Sequence, residues 1–445
     1  MPEIAETSRT MKKRSKIVRQ HEIRKRQRER RQKHAEERRR LARWRNRYPP
    51  GIRVIPRKGF RKPNPDPDTT IRIPHTFSLL DDPDAVLKTY QQIELALRIK
   101  HKRRIHVDHS NCKRMDLAAS ILLDTLIVAA EKRRKGTPNS LIVEGSISTI
   151  SDDVNVMLFA SGLPHHLGLE FELPPDIKLN TKKFESQYGS ASHIDTARQR
   201  NQCASDLTEY FDDCIKTQGF ELSDSGRAYL GNLVTEVIGN AEEHSGPWHA
   251  IGFYDQRKFG AMGAGECHIV IFNYGRTIYE TLIHPSTSNE LRSKLHEFSG
   301  PILSRGWFQR AVTARRNLNE ECLWTLYALQ DRVSRFYDQP GGRDRGNGTI
   351  KMIEFFEQLA GHAPMRMCVL SGGAYILFDG SHRLKTVARN GEQLKIIAFN
   401  AENDLKIAPD SEYVRPVEPY FPGTIVDIRL ILDRAVLTGL TAPRG

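Results

Sequence analysis

Residues 1–62 carry 24 Lys+Arg against 6 Asp+Glu, a net of +18, with almost no apolar side chains between Met11 and Arg47. A segment such as Arg24-Lys25-Arg26-Gln27-Arg28-Glu29-Arg30-Arg31 cannot bury a core, so whatever folds must be built from the rest of the chain. That remainder holds 44 basic and 48 acidic residues, a net of −4. The chain is therefore a mildly acidic body behind a very basic arm. The arm's Arg, Lys, Gln, Glu and Ala favour helix once charge repulsion is relieved. It is predicted to be disordered, or a lone exposed helix that orders on an acidic partner. Nucleic acid is one such partner, because cations set on phosphates release counterions, and Trp44 and Tyr48 could stack on bases. An acidic protein surface, or a plain solubilising tail, is the other reading.

Dense prolines end the arm at Pro49-Pro50-Gly51 and recur in Lys62-Pro63-Asn64-Pro65-Asp66-Pro67. Proline at this density forbids helix and favours an extended spacer, so residues 63–70 are a linker and folding begins near Ile71. The 445 residues leave room for two or three domains. No apolar run approaches the ~20 residues that cross a bilayer, and no secretory core is seen near Met1. A cytoplasmic chain without membrane contact is expected. The six cysteines form no C-x-x-C pair and none has zinc-ligand spacing from a histidine, so reduced thiols are expected.

Residues 71–180 read as a small α/β unit. Helical spacing covers 84–100, with Leu87, Tyr90, Ile93, Leu95 and Leu97 apolar. A strand follows at Arg104–Asp108, a helix at Met115–Lys132, a strand at Ser140–Glu144 and a helix at Val154–Leu163. Strand and helix alternating at these lengths imply a partly parallel sheet. Val107-Asp108-His109-Ser110 followed by Met115-Asp116-Leu117-Ala118 resembles the STAS domain of anti-anti-sigma factors, in which a strand ends in Asp and a second Asp opens the next helix. Phosphorylatable members carry Ser or Thr after that second Asp. Here the residue is Leu117, so the resemblance implies a copy that cannot be switched by phosphorylation there.

The most informative stretch runs from Leu230 to Ser245. On a helix, Leu230, Leu233, Val234, Val237 and Ala241 form an apolar stripe, and Glu236, Asn240 and His244 line its edge four residues apart. Such polar groups would point into a cleft between helix and sheet, where a carboxylate could align a water and an amide oxygen could ligate a hard cation. An amphipathic helix carries polar residues at a stripe edge for no functional reason just as readily. Three later features add to it. Cys267–Phe272 is an apolar strand followed by Asn273-Tyr274-Gly275-Arg276-Thr277. Gly341-Gly342-Arg343-Asp344-Arg345-Gly346-Asn347-Gly348-Thr349 enters a helix at Ile350–Leu359, a backbone arrangement that can hold phosphate. Strands at Met365–Leu370 and Gly373–Phe378 precede a last strand at Gly423–Leu430.

In order and spacing these elements resemble the GHKL ATPases, the Bergerat fold shared by gyrase, the heat-shock chaperone, histidine kinases and the mismatch-repair protein. Glu236-x-x-x-Asn240-Ala241-x-x-His244 is similar to their N box, Asn273-x-Gly275 to their D-x-G-x-G box, Gly346-x-Gly348 to their second glycine box, and Gly423-Thr424 to the opening of their last strand. The resemblance covers residues 194–435 and implies an α+β sandwich behind the STAS-like unit, with ATP and Mg²⁺ as ligands. It implies Asn240 as the magnesium ligand and Glu236 as the general base. Nucleotide contacts would come from His244, Asn273, Gly275, Gly346, Gly348, Thr349 and Thr424. Two departures stand out: Asn273 replaces the family's adenine-reading Asp, and Thr277 replaces a glycine. The insertion 283–339, with Trp307 and Trp324, is expected to be helical and to cover the site as a lid. The resemblance implies an ATP-binding regulatory protein with slow Mg-dependent ATPase or nucleotide-switch activity and an unknown protein partner. The alternatives are an anti-sigma-like protein kinase, and a nucleotide-sensing, nucleic-acid-associated module without catalysis.

Overall fold

The computed structural model describes residues 68–98, 104–134, 142–167, 169, 181–185, 193–244, 248–258, 265–309, 318–330, 348–361, 363–389 and 392–439. The basic arm and residues 63–67 of the linker lie outside this set, as do Gly346 and the tract before it. Among the described residues no helix is long and apolar enough to cross a membrane, and all six cysteines are free thiols.

The chain first builds the predicted α/β unit, which opens at Asp68, inside the stretch expected as linker (63–70) and ahead of the expected start at Ile71, because residues 68–72 pair as a strand. Strand β1 (Asp68–Arg72) pairs in parallel with β3 (Arg104–Asp108), and β3 pairs in parallel with β5 (Ile142–Ser146). A two-residue parallel pair, β2 (Thr76–Phe77) with β4 (Arg114–Met115), sits beside them. Helices α1 (Pro83–Arg98), α2 (Leu117–Arg134), α3 (Asp152–Ser161) and α4 (Leu163–His166) complete the unit. Asp116 caps α2, its carboxylate accepting from Ala119 N at 2.7 Å and Leu80 N at 3.1 Å. Hydrogen bonds from the Ser110 hydroxyl and N–H, with Ser146 adding to them, hold Asp108 down at about 2. Leu117 is wholly buried.

A second body follows. Strands β6 (Thr181–Glu185), β8 (Trp248–Asp255), β9 (Glu266–Tyr274), β10 (Met365–Phe378) and β13 (Val414–Ile431) form an antiparallel sheet in the order β10-β13-β9-β8-β6. Helices α5 (His193–Lys216), α6 (Asp224–His244) and α10 (Gly348–Ala360) cover one face. The period-2 alternation of the strands sends Ile269, Ile271, Met367, Val369, Val426 and Ile428 into that helix-side core, which also holds Leu207, Phe211, Leu233, Val237, Ile353 and Phe356. Two small antiparallel pairs flank the sheet: β7 (Phe220–Leu222) with β14 (Leu437–Gly439), and the hairpin β11 (Lys385–Arg389) with β12 (Glu392–Ile396).

The opposite face of the sheet is covered by the α/β unit. Arg366 on β10 bonds Asp81 at 2.6 Å and the Leu80 carbonyl, and Tyr375 Oη donates to the same carbonyl. Arg415 on β13 reaches Asp84 at the start of α1, at 2.8 Å. The two strands expected at 365–370 and 373–378 are one strand with a bulge at Ser371–Gly373. The last strand begins at Val414, nine residues before the expected Gly423.

Helix α7 (Ile278–Leu282) precedes the segment expected as an insertion, 283–339, whose described residues contain two helices, α8 (Asn289–Gln309) and α9 (Glu320–Ala328), joined to α7 by turns at 283–288. The three helices have a small core of their own around Leu282, Leu295, Leu323, Trp324 and Tyr327. Glu321 anchors them in the bulge of β10, accepting from Gly373 N at 2.9 Å. Gln330 ties them to Ile397 through both the N–H and the carbonyl of that residue.

Candidate functional site

Chain direction fixes which groups meet. Helix α6 leads into β8, and Trp248 at the start of β8 stands opposite Asn273 at the end of β9. The C-terminal end of α6, with Asn240 and His244, therefore lies at the same end of the sheet as Asn273. Helix α10 runs the other way: its last turn is bonded to the far end, Asp433 N donating to the Leu359 carbonyl at 2.9 Å. Thirteen residues at ~1.5 Å each bring its N-terminus, Gly348 and Thr349, about 20 Å back toward Asn273.

Helix geometry then orients Glu236 and Asn240. Tyr229 on α6 stacks on Phe355 of α10, with ring centroids 6.1 Å apart. Positions seven and eleven further on fall within about 20° of the same helix face. Glu236 and Asn240, both half-buried, thus lie on the α10 side of α6. The other side is held by α5. Arg200 crosses Gly239 and bonds Glu242 at 2.7 Å, and Glu242 accepts from Trp248 Nε1 at 3.1 Å. This clamp fixes the end of α6 against the start of β8. His244 is the last residue of α6, and its side chain is outside the described set.

On the sheet, Ser371, Thr424, Asn273 and Trp248 form one row across four strands, all on the helix-side face. Asn273 is 3% exposed, and its Oδ1 has no hydrogen-bond partner among the described residues. A buried amide oxygen left unmet costs roughly 1–3 kcal/mol, so an incoming N–H is the natural remedy. Thr424 Oγ1 lies 2.8 Å from Ser371 Oγ, and Ser371 Oγ also accepts from Ile278 N at 2.9 Å. Gly275 is buried, with its N–H on the Pro422 carbonyl at 3.2 Å. Gly423 has to be glycine, because a Cβ there would collide with the Asn273 carbonyl oxygen. Thr277 caps α7 in a reciprocal pair with Glu280, so its hydroxyl is engaged in holding the chain after Gly275.

Of the residues singled out from sequence, Glu236, Asn240, His244, Asn273, Gly275, Gly348, Thr349 and Thr424 belong to elements that meet at one end of the sheet. Gly346 is outside the described residues. Sequence reasoning missed the Arg200–Glu242–Trp248 clamp, which joins three elements with no motif to mark it. It also missed Ser371, although a Gly-Gly pair inside an apolar strand run is a recognisable bulge signal. Among the described residues no group of three or more His, Cys, Asp or Glu is placed to hold a metal ion. Comparison with protein-family models, with curated proteins and with solved structures found no match.

Proposed function

We propose that this end of the sheet is a Mg-nucleotide site and that the chain is an ATP-binding regulatory protein with slow ATPase or nucleotide-switch activity. The observation that carries the reading is the buried Oδ1 of Asn273, without a hydrogen-bond partner among the described residues, at the end of the sheet toward which the C-terminus of α6 and the N-terminus of α10 run. An acceptor there suits the amino group of a base. A helix N-terminus preceded by glycines suits phosphate. Asn240, on the face of α6 turned to α10, would supply one oxygen to Mg²⁺. One protein ligand suffices, because magnesium keeps several waters and takes further oxygens from phosphate. Bound there, the cation would supply neutralisation of phosphate charge. Glu236, one turn before Asn240 on the same face, would orient a water and take its proton.

The chain order of the four boxes supports the same reading, and Asn240, Asn273, Gly348 and Thr424, one from each, belong to elements that run to one end of the sheet. A kinase acting on its own α/β unit is disfavoured by Leu117, which is buried and has no hydroxyl. A sensing module without catalysis draws support from Asn273, a neutral amide where the resembled family has a carboxylate. The test is magnesium-dependent ATP binding by the full chain, measured by calorimetry alongside Asn240→Ala. Wild type should bind only with magnesium, and the variant should stay folded without binding. Equal affinity in both would remove the reading.

A further inference from the structure

We propose that Ser371 is a positioning residue that fixes the Thr424 hydroxyl as a donor toward the site and so sets its preference for adenine over guanine; the inference rests on the nucleotide reading above. Ser371 is wholly buried. Its oxygen already accepts the Ile278 N–H at 2.9 Å. A serine hydroxyl has one proton to give, and leaving it unmet in the interior is costly. The Thr424 oxygen at 2.8 Å is the acceptor at hand. With Ser371 as the donor to Thr424, the Thr424 hydroxyl keeps its own proton for another acceptor.

Next to Thr424 in register stands Asn273, whose buried Oδ1 has no hydrogen-bond partner among the described residues. Directly opposed residues on neighbouring strands have Cβ atoms only ~4.5–5.5 Å apart. The row thus presents an acceptor and a donor side by side. Adenine's amino edge is the complement: an N–H donor next to a ring nitrogen that accepts. Guanine presents the reverse order, a carbonyl oxygen next to a ring N–H, so its N–H would face the Thr424 proton. A site whose buried polar groups are left opposed rejects a ligand far more strongly than a site that merely lacks a contact. If Ser371 were absent, the Thr424 hydroxyl could turn over and accept, and the discrimination would fade. The hydrogen bond that the Ile278 N–H donates to Ser371 Oγ ties the start of α7 to the same row.

The experiment titrates full-length wild type, Ser371→Ala, Thr424→Val and the double variant with Mg-ATP and Mg-GTP by calorimetry, with near-ultraviolet circular dichroism to confirm folding. Wild type should prefer ATP. Ser371→Ala should lose about tenfold in ATP affinity, the size of one hydrogen bond, and the ATP-to-GTP ratio should shrink with it. In the Thr424→Val background, Ser371→Ala should then have no further effect on that ratio, because it acts through the hydroxyl already removed. Additive losses would mean that Ser371 only supports the bulge, and would overturn the inference. So would a Thr424→Val protein that keeps full discrimination, even if Ser371→Ala failed to fold. Wild type that binds neither nucleotide would instead overturn the functional reading, and this inference with it.

Discussion

Glu236 separates an enzyme from a switch. It lies on the α10 side of α6, one turn before Asn240, while nucleotide binding in the proposed site draws on Asn240, the Asn273–Thr424 row and the α10 N-terminus. Glu236→Ala should therefore keep ATP affinity while turnover falls by a factor of ~10²–10⁴, the usual contribution of a positioned base. Both quantities should be measured on one preparation. A variant with unchanged turnover would reduce Glu236 to a helix-edge carboxylate. At this scale the sequence was partly legible. The i, i+4 spacing of Glu236, Asn240 and His244 against an apolar stripe put them on one helix edge, and Gly423-Thr424 stood out, although as the opening of a strand that in fact begins at Val414. The partners were not legible, because Arg200 to Glu242 and Ser371 to Thr424 are separated by 42 and 53 residues and nothing local encodes such pairs.

Strand β13 brings two separate requirements together. Its Thr424 belongs to the site row, and its Gly423 lets the β9 backbone approach closely enough for that row to form. Gly423→Ala should push β13 away from Asn273 and destabilise the fold by about 1–3 kcal/mol, the cost of overpacking in a tight interior. Urea unfolding compared with wild type would read this; an unchanged midpoint would show that the approach is not needed. The same strand shows why the sequence hid part of the fold. Its second half, from Thr424, alternates Ile425, Asp427 and Arg429 with Val426, Ile428 and Leu430, a readable strand pattern. Its first half carries Pro416, Pro419 and Pro422, which argue against a strand anywhere but an edge or a bulge. The structure places this half where β10 bulges at Ser371–Gly373, so the ladder is already interrupted there. Strand β8 escaped notice for another reason. Its helix-side positions are Trp248, Ala250, Gly252 and Tyr254, and Gly252 is small because a Cβ would strike Leu207, so its apolar face reads weakly.

The α/β unit and the antiparallel sheet close on each other over a buried carboxylate pair, and this seam gives the folded body a distinctive pH response. Asp427 on β13 is 1% exposed and Asp116 is 4% exposed. Burial raises Asp116 as well, while the two backbone N–H groups it accepts, from Ala119 and Leu80, draw it back toward its ionised form. Asp427 has no such help. The nearby guanidinium groups are engaged, Arg366 with Asp81 and Arg429 with Glu266, Cys368 is its neighbour on β10, and its Oδ2 has no hydrogen-bond partner among the described residues. Burial first, and the facing Asp116 second, push Asp427 well above the usual aspartate range, so it keeps its proton where an unfolded aspartate has lost it. The native state then holds more protons than the unfolded one, and stability falls as pH rises above the ordinary aspartate value of ~3.9, by at most about 1.4 kcal/mol per pH unit for one proton. Asp108 and Glu266 act in the opposite sense: both are held down at about 2, Glu266 by His268 and Arg429 in spite of its burial, so their contribution is lost as pH falls. Asp427→Asn keeps the shape and a donor facing Asp116 but removes the proton equilibrium. Its melting temperature should approach or exceed that of wild type as pH rises from about 5 toward about 9, with the relative gain absent below about pH 4, where Asp427 is protonated in both states. The acid-side losses from Asp108 and Glu266 are common to both proteins and cancel in the difference. Melting curves that run parallel across the whole range would show that Asp427 is ionised in the fold and that the seam carries no bound proton.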